Sequence, residues 1–278
     1  MKDSEKVGII SKDHRKFAKS AFYSLFNSYG IFIFQIIISF FMARLISQES
    51  WGLLLLAMSY INIVSLILSF FPPALTFSLN YYIPRYVALN HNNKLKWMIK
   101  AGFYLKITFA LIIFFISLII FFILKPFFAI YLLGYTNLLF LLSPLIFIIG
   151  LSTLLDSIYQ GFFKYKLIFL LTLLKFSFYI SALIICLIFG ITNLELIALI
   201  YLLSFLIPFL VSSLIFIKIY LNIKTTEEAK GSFKDVLSKI TKYGTPLGIN
   251  VFLNETWKQF QTPIIGGFEP LSTITGFT

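Results

Sequence analysis

Residues 167–189 read LIFLLTLLKFSFYISALIICLIF, a run of 23 residues with one charge, Lys175. About 20 apolar residues suffice for a helix to cross a hydrocarbon core roughly 30 Å thick. The same kind of run recurs along the chain. Spans are expected at 20–43, 51–84, 101–124, 137–155, 167–189 and 194–217, and another hydrophobic segment opens at 243. The second run is too long for one straight helix and carries Pro72-Pro73, so an interruption is expected there. The stretch PFFAIYLLGYT, from Pro126, reads as an interfacial connector.

Composition agrees. Of the 278 residues, 59% are hydrophobic and 12% charged, and mean hydropathy is +0.92. Soluble domains run at roughly 45–50% and about 25%. The fold class expected is therefore all-α integral membrane. It comprises a six-helix transmembrane lobe plus the start of a seventh helix. The lone Cys186 allows no disulfide within the chain. The N-terminal residues lack the short apolar core and small-residue cleavage site of a secretory signal.

The net charge of +12 could suggest nucleic acid in a soluble protein, but here position matters more than sum. Residues 1–19 carry Lys2, Lys6, Lys12, Arg15, Lys16 and Lys19. The connection after span two carries Arg85, Lys94, Lys96 and Lys100. Lys164 and Lys166 follow span four, and six lysines follow span six. The alternate connections hold only Arg44 and Lys125. Cytoplasmic loops hold the excess of Lys and Arg, so the N-terminus and residues 218–242 are expected in the cytoplasm. Phe233, Val236, Leu237 and Ile240 recur at helical spacing, so 218–242 reads as an amphipathic linker on the inner membrane surface. Residues 243–278 then read as the start of a second bundle, and the chain is expected to be part of a longer protein.

Polar groups inside a membrane mark packing contacts or pathways. Ser24, Ser28, Gln35 and Ser39 fall near one face of span one. Ser59, Asn62, Ser65, Ser69, Thr76 and Asn80 do the same in span two. Each can be helix adhesion worth on the order of 0.6 kcal/mol. Two stripes on consecutive helices point as a group to a hydrated cavity. Lys175, nine residues past Lys166, lies roughly 13 Å deep, beyond easy snorkelling. Lys106 is expected to snorkel to the nearer edge, and Asp156, Gln160, Lys164 and Lys166 to form a surface salt-bridge cluster. Asn250, Asn254 and Lys258 share one stripe of the seventh segment, where Glu255 can pair with Lys258. Arg44 and Arg85 bound spans one and two. Glu195 follows Asn193 at a helix start, where capping suffices.

No catalytic constellation appears. His14 and His91 have no metal-ligand spacing around them, there is no phosphate-binding glycine loop, and no outer loop carries an acidic pair. The chain is expected not to be an enzyme and to hold no metal or cofactor.

Several patterns look familiar in combination. MARLISQESWGLLLLAMSY, with Arg44, Glu49 and Gly52, resembles the turn between the first two spans of the polysaccharide biosynthesis (O-antigen type) flippase family. Leu79 to Arg85 resembles that family's inner end of span two. IYQGFFKYK (158–166) resembles its span four–five turn, and YGTPLGINVF (243–252) with IIGGF (264–268) the opening of its seventh span. The family belongs to a superfamily of multidrug and oligosaccharide-lipid exporters with two six-helix lobes, and this chain resembles the first lobe. The resemblance implies a multi-pass protein of the cell membrane. It would flip a lipid-linked oligosaccharide from the cytoplasmic to the outer leaflet by alternating access, alongside glycosyltransferases or a glycan polymerase. On that reading Lys175 and Lys258 would neutralise a pyrophosphate. Gln35, Asn62 and Asn254 would bond sugars, Glu255 would line the cavity, and Arg44 and Arg85 would stand near its mouths. Partners would then be the substrate and membrane lipid, not nucleic acid; a coupling cation, H+ or Na+, is left open. The alternatives are a cation-coupled multidrug extruder of the same superfamily and a non-transporting scaffold.

Overall fold

A computed structural model describes residues 2–70, 75–131, 135–224, 238–250, 252, 253 and 256. Among them there is no strand. Helices follow in order: α1 (Lys2–Leu45), α2 (Gln48–Phe70), α3 (Leu75–Ala88), α4 (Asn92–Tyr131), α5 (Tyr135–Leu142), α6 (Pro144–Gly161), α7 (Tyr165–Phe189) and α8 (Leu194–Leu221), and residues 238–250 are helical as well. Six helical stretches are long and apolar enough to cross a bilayer: Ser20–Leu45, Gln48–Leu68, Asn92–Ile123, Thr136–Gly161, Tyr165–Phe189 and Leu194–Leu221. The chain is an all-α, multi-pass membrane protein with six spans.

The turns sort the charges. Those joining α3 to α4 and α6 to α7, with the end of α8, carry His91, Lys94, Lys96, Lys164, Lys166, Lys218 and Lys224; we call this the basic end. The α1–α2 and α7–α8 turns lie at the opposite end. There Gly190, left-handed at φ 63°, closes α7, and the Asn193 side chain accepts from Leu196 N at 3.1 Å to open α8. The capping role expected for the Asn193–Glu195 stretch is met.

Helix α6 is the hub, touching α2, α3, α4, α5, α7 and α8. Its span is 56% buried, whereas that of α1, which packs chiefly on α7, is 6% buried. Small residues let α6 take this position. A Cβ on Gly161 would lie 2.8 Å from Ile83 Cβ, and one on Gly150 would overlap the Leu68 side chain. Asn80 Nδ2 donates to Gln160 Oε1 at 2.9 Å beside the Gly161–Ile83 contact. The Gln-Gly step of the α6–α7 turn is thus a seat for α3.

Two of the breaks, α2–α3 and α5–α6, share one cause. A helical carbonyl is bonded by the N–H four residues on, and proline has none. Pro72 therefore cannot serve Leu68; Lys106 Nζ donates to that carbonyl instead, at 2.6 Å. Pro144 cannot serve Phe140, and Ser143 Oγ donates to that carbonyl at 2.8 Å. The interruption expected at Pro72-Pro73 falls between the end of α2 and the start of α3, and residues 71–74 themselves lie outside the described set.

Several expectations need correction. Lys106 does not snorkel: it is fully buried, and its ammonium serves the broken helix, whose negative dipole end also favours a cation. Pro126 does not open a connector, since α4 continues through it to Tyr131. The fourth span does not end at 155 but reaches Gly161, and Asp156 is thereby drawn inside the bundle. Asp156, Gln160, Lys164 and Lys166 form no salt-bridge cluster; Gln160 is engaged by Asn80. In the expected linker, residues 225–237 lie outside the described set. Ile240 beyond them is fully buried against α3 and α4, and its carbonyl accepts from Ser78 Oγ at 3.1 Å.

Two outcomes follow for stability. Lys106→Met leaves the Leu68 carbonyl without a donor and should cost about 1–3 kcal/mol, read as a lowered unfolding temperature in detergent. Gly161→Ala should separate α3 from α6 at a cost of about 1–3 kcal/mol. Unchanged melting of either variant would contradict the packing described.

Candidate functional site: a lysine between two cavities

Helix geometry brings Lys175 and Asp156 towards each other. Every Cα–Cβ bond tilts towards its helix N-terminus. Helix α7 runs away from the basic end, so Lys175 leans back towards it; α6 runs towards the basic end, so Asp156 leans away from it. Both side chains reach one cavity of about 300 Å³ enclosed by α1, α6, α7 and α8. Ser152, Thr153, Thr172 and Ser212 add hydroxyls to its wall. Asp156 and Lys175 are its only charged lining residues. They form no direct ion pair. The Lys175 ammonium lies 3.5 Å from the centre of the Phe205 ring and 5.0 Å from that of Phe176, a cation–π arrangement.

A second cavity of about 390 Å³ lies towards the opposite end, between α1, α2, α7 and α8. Ser39, Ser59, Asn62, Tyr179, Tyr201 and Ser204 supply its polar atoms. Gln35, Lys175 and Phe176 line both cavities. They stand where the two cavities adjoin, with Phe176 held by stacking on Phe34 of α1 at 5.0 Å. On the basic side the wall is fixed by Tyr159, whose hydroxyl donates to Ser212 O at 2.5 Å. On the other side Tyr179 packs edge-on against Tyr201, their ring centres 5.4 Å apart.

Of the polar stripes of spans one and two, only Gln35, Ser39, Ser59 and Asn62 reach these cavities; Ser28 bonds back to Ser24 O and Asn80 to Gln160. Gln35, Asn62 and Lys175, singled out from sequence, meet at this pair of cavities. Arg44 and Arg85 do not: the Arg44 guanidinium lies 4.3 Å from the Phe40 ring centre, and Arg85 Nη1 donates to Tyr81 Oη at 3.3 Å. Asn254, Glu255 and Lys258 lie outside the described residues. Asp156 is the site residue that sequence reading missed. The depth signal was available, because a span running through to Gly161 sets Asp156 five residues inside. Among the described residues no group of His, Cys, Asp or Glu could hold a metal ion.

Comparison with protein-family models, with curated proteins and with solved structures found no match to this chain.

The arrangement offers a cation, a nearby carboxylate and hydroxyl or amide groups in two hollows stacked along the bundle axis. In a Cys186→Ser background, Asn62→Cys and Ser152→Cys should react with a membrane-impermeant maleimide from opposite faces of the bilayer. Labelling of both from one face, or of neither after permeabilisation, would contradict the stacked cavities.

Proposed function

We propose that this six-span bundle is one lobe of an alternating-access flippase for a lipid-linked oligosaccharide. The protein would lie in the cell membrane with its N-terminus and basic end in the cytoplasm, as the excess of Lys and Arg there favours. The problem such a protein solves is a bulky polar headgroup carrying pyrophosphate, whose lipid tail can stay in the bilayer. The observation that carries the reading is Lys175: an ammonium that, with Gln35, lines two neighbouring cavities of mixed polar and apolar wall, one of which also holds Asn62. The ammonium would meet the phosphate, and the amides would offer hydrogen bonds to sugar hydroxyls. Rocking of this lobe against a second one would open each cavity in turn. Glycosyltransferases or a glycan polymerase would supply or consume the substrate.

A specific observation favours the second reading, a cation-coupled multidrug extruder. Asp156 places a carboxylate in the cavity, and a carboxylate suits a cationic drug or a coupling proton.

Binding separates the two. The full chain in nanodiscs should bind a polyisoprenyl pyrophosphate oligosaccharide in preference to the neutral polyisoprenol. Lys175→Ala should weaken that binding about tenfold or more, the loss of one charge-assisted contact, and Lys175→Arg should retain most of it. Equal binding by Lys175→Ala would remove the residue from the site. Preference for a lipophilic cation would favour the extruder.

A further inference from the structure

Asp156 has no task in the flippase reading, and a carboxylate at this depth is costly unless it is paired or hydrated. Of the elements around the cavity, α7 contributes Lys175 as the only opposite charge. Helix α8 offers Ser212 and apolar side chains, and α1 offers Gln35 and Ile31. Tyr159, one turn along α6, has its hydroxyl committed to Ser212. The ammonium, however, rests on the Phe205 ring rather than on the carboxylate. A lysine side chain is long and flexible, and its charge can move between these positions without displacing a helix.

We propose that Asp156 is the internal counter-ion of Lys175 and competes with the ligand's phosphate for it. In the empty site the carboxylate shares the cavity with the ammonium and offsets its charge without a direct ion pair. An arriving anion of the phosphate class takes the ammonium, and the hydroxyls of Ser152 and Thr172, with water, solvate the released carboxylate. This rests on the reading of Lys175 as an anion-binding group, and it makes Asp156 a specificity-determining residue of the same site. The consequence is moderate affinity. A lone ammonium in low dielectric would hold a pyrophosphate too tightly to release it, and a transport site must bind firmly enough to load and weakly enough to empty. The unoccupied pair is also close to neutral, which lowers the cost of moving the empty site past hydrocarbon.

The test uses the full chain in nanodiscs with a polyisoprenyl pyrophosphate as probe. Asp156→Asn should tighten binding roughly threefold to tenfold, whereas Asp156→Glu, which keeps the charge, should bind like the parent. If Lys175→Ala abolishes binding but Asp156→Asn leaves it unchanged or weaker, the competition is overturned and the anion site stands. If neither the parent nor Asp156→Asn prefers the pyrophosphate to the neutral polyisoprenol, the anion site itself fails and the competition with it. Thermal unfolding of Asp156→Asn, Lys175→Met and the double variant gives a second measurement. The double variant should be more stable than either single, because each single strands one buried charge. Additive losses would overturn the pairing even where Asp156→Asn expresses too poorly for binding.

Discussion

Hydrocarbon offers no hydrogen bond, so every polar group carried into it must find its partner inside the protein or in water held there. Two proline sites show how the bundle meets that demand, with a side chain standing in for the lost backbone donor. Lys106 reaches the Leu68 carbonyl that Pro72 cannot serve, and Ser143 reaches the Phe140 carbonyl freed by Pro144. These substitutes tie α4 to the break between α2 and α3 and fix the join of α5 to α6. Glycines at 150 and 161 then let α6 sit tightly against α2 and α3.

Lys175 meets the demand differently. No backbone carbonyl receives it; it faces two aromatic rings and two adjoining hollows. A lysine in this position is held by an electrostatic environment that a ligand can exchange, whereas Lys106 is locked into the helix framework. The contrast between fully buried Lys106 and half-buried Lys175 separates a structural role from a binding one, and the transport proposal grows from that contrast.

Much of this was legible in the sequence. The six spans, the interruption at Pro72-Pro73 and the Asn193 cap follow from run length, proline chemistry and capping preference. The convergence of Gln35 and Asn62 followed from two polar stripes on adjacent helices. What failed has a common physical reason: depth along an axis does not say which way a side chain turns. Lys106 stands fourteen residues into α4 and turns inward to a carbonyl, where distance to the nearer edge suggested escape to water. Asp156 was placed among surface charges because the fourth span was ended at 155. The helix in fact continues to Gly161, whose lack of a side chain admits Ile83. That packing partner lies some eighty residues away in sequence, and no local pattern reveals it.

The central claim is that the ammonium of Lys175 stands in water enclosed by protein. Solid-state 15N–1H correlation of the full chain in lipid bilayers, with the lysine side chains labelled and Lys175→Arg used to assign the signal, reads that directly. The account predicts a charged Nζ resonance exchanging magnetisation with water protons and with aromatic ring protons. A resonance correlated with lipid methylenes alone, and silent towards water, would contradict it.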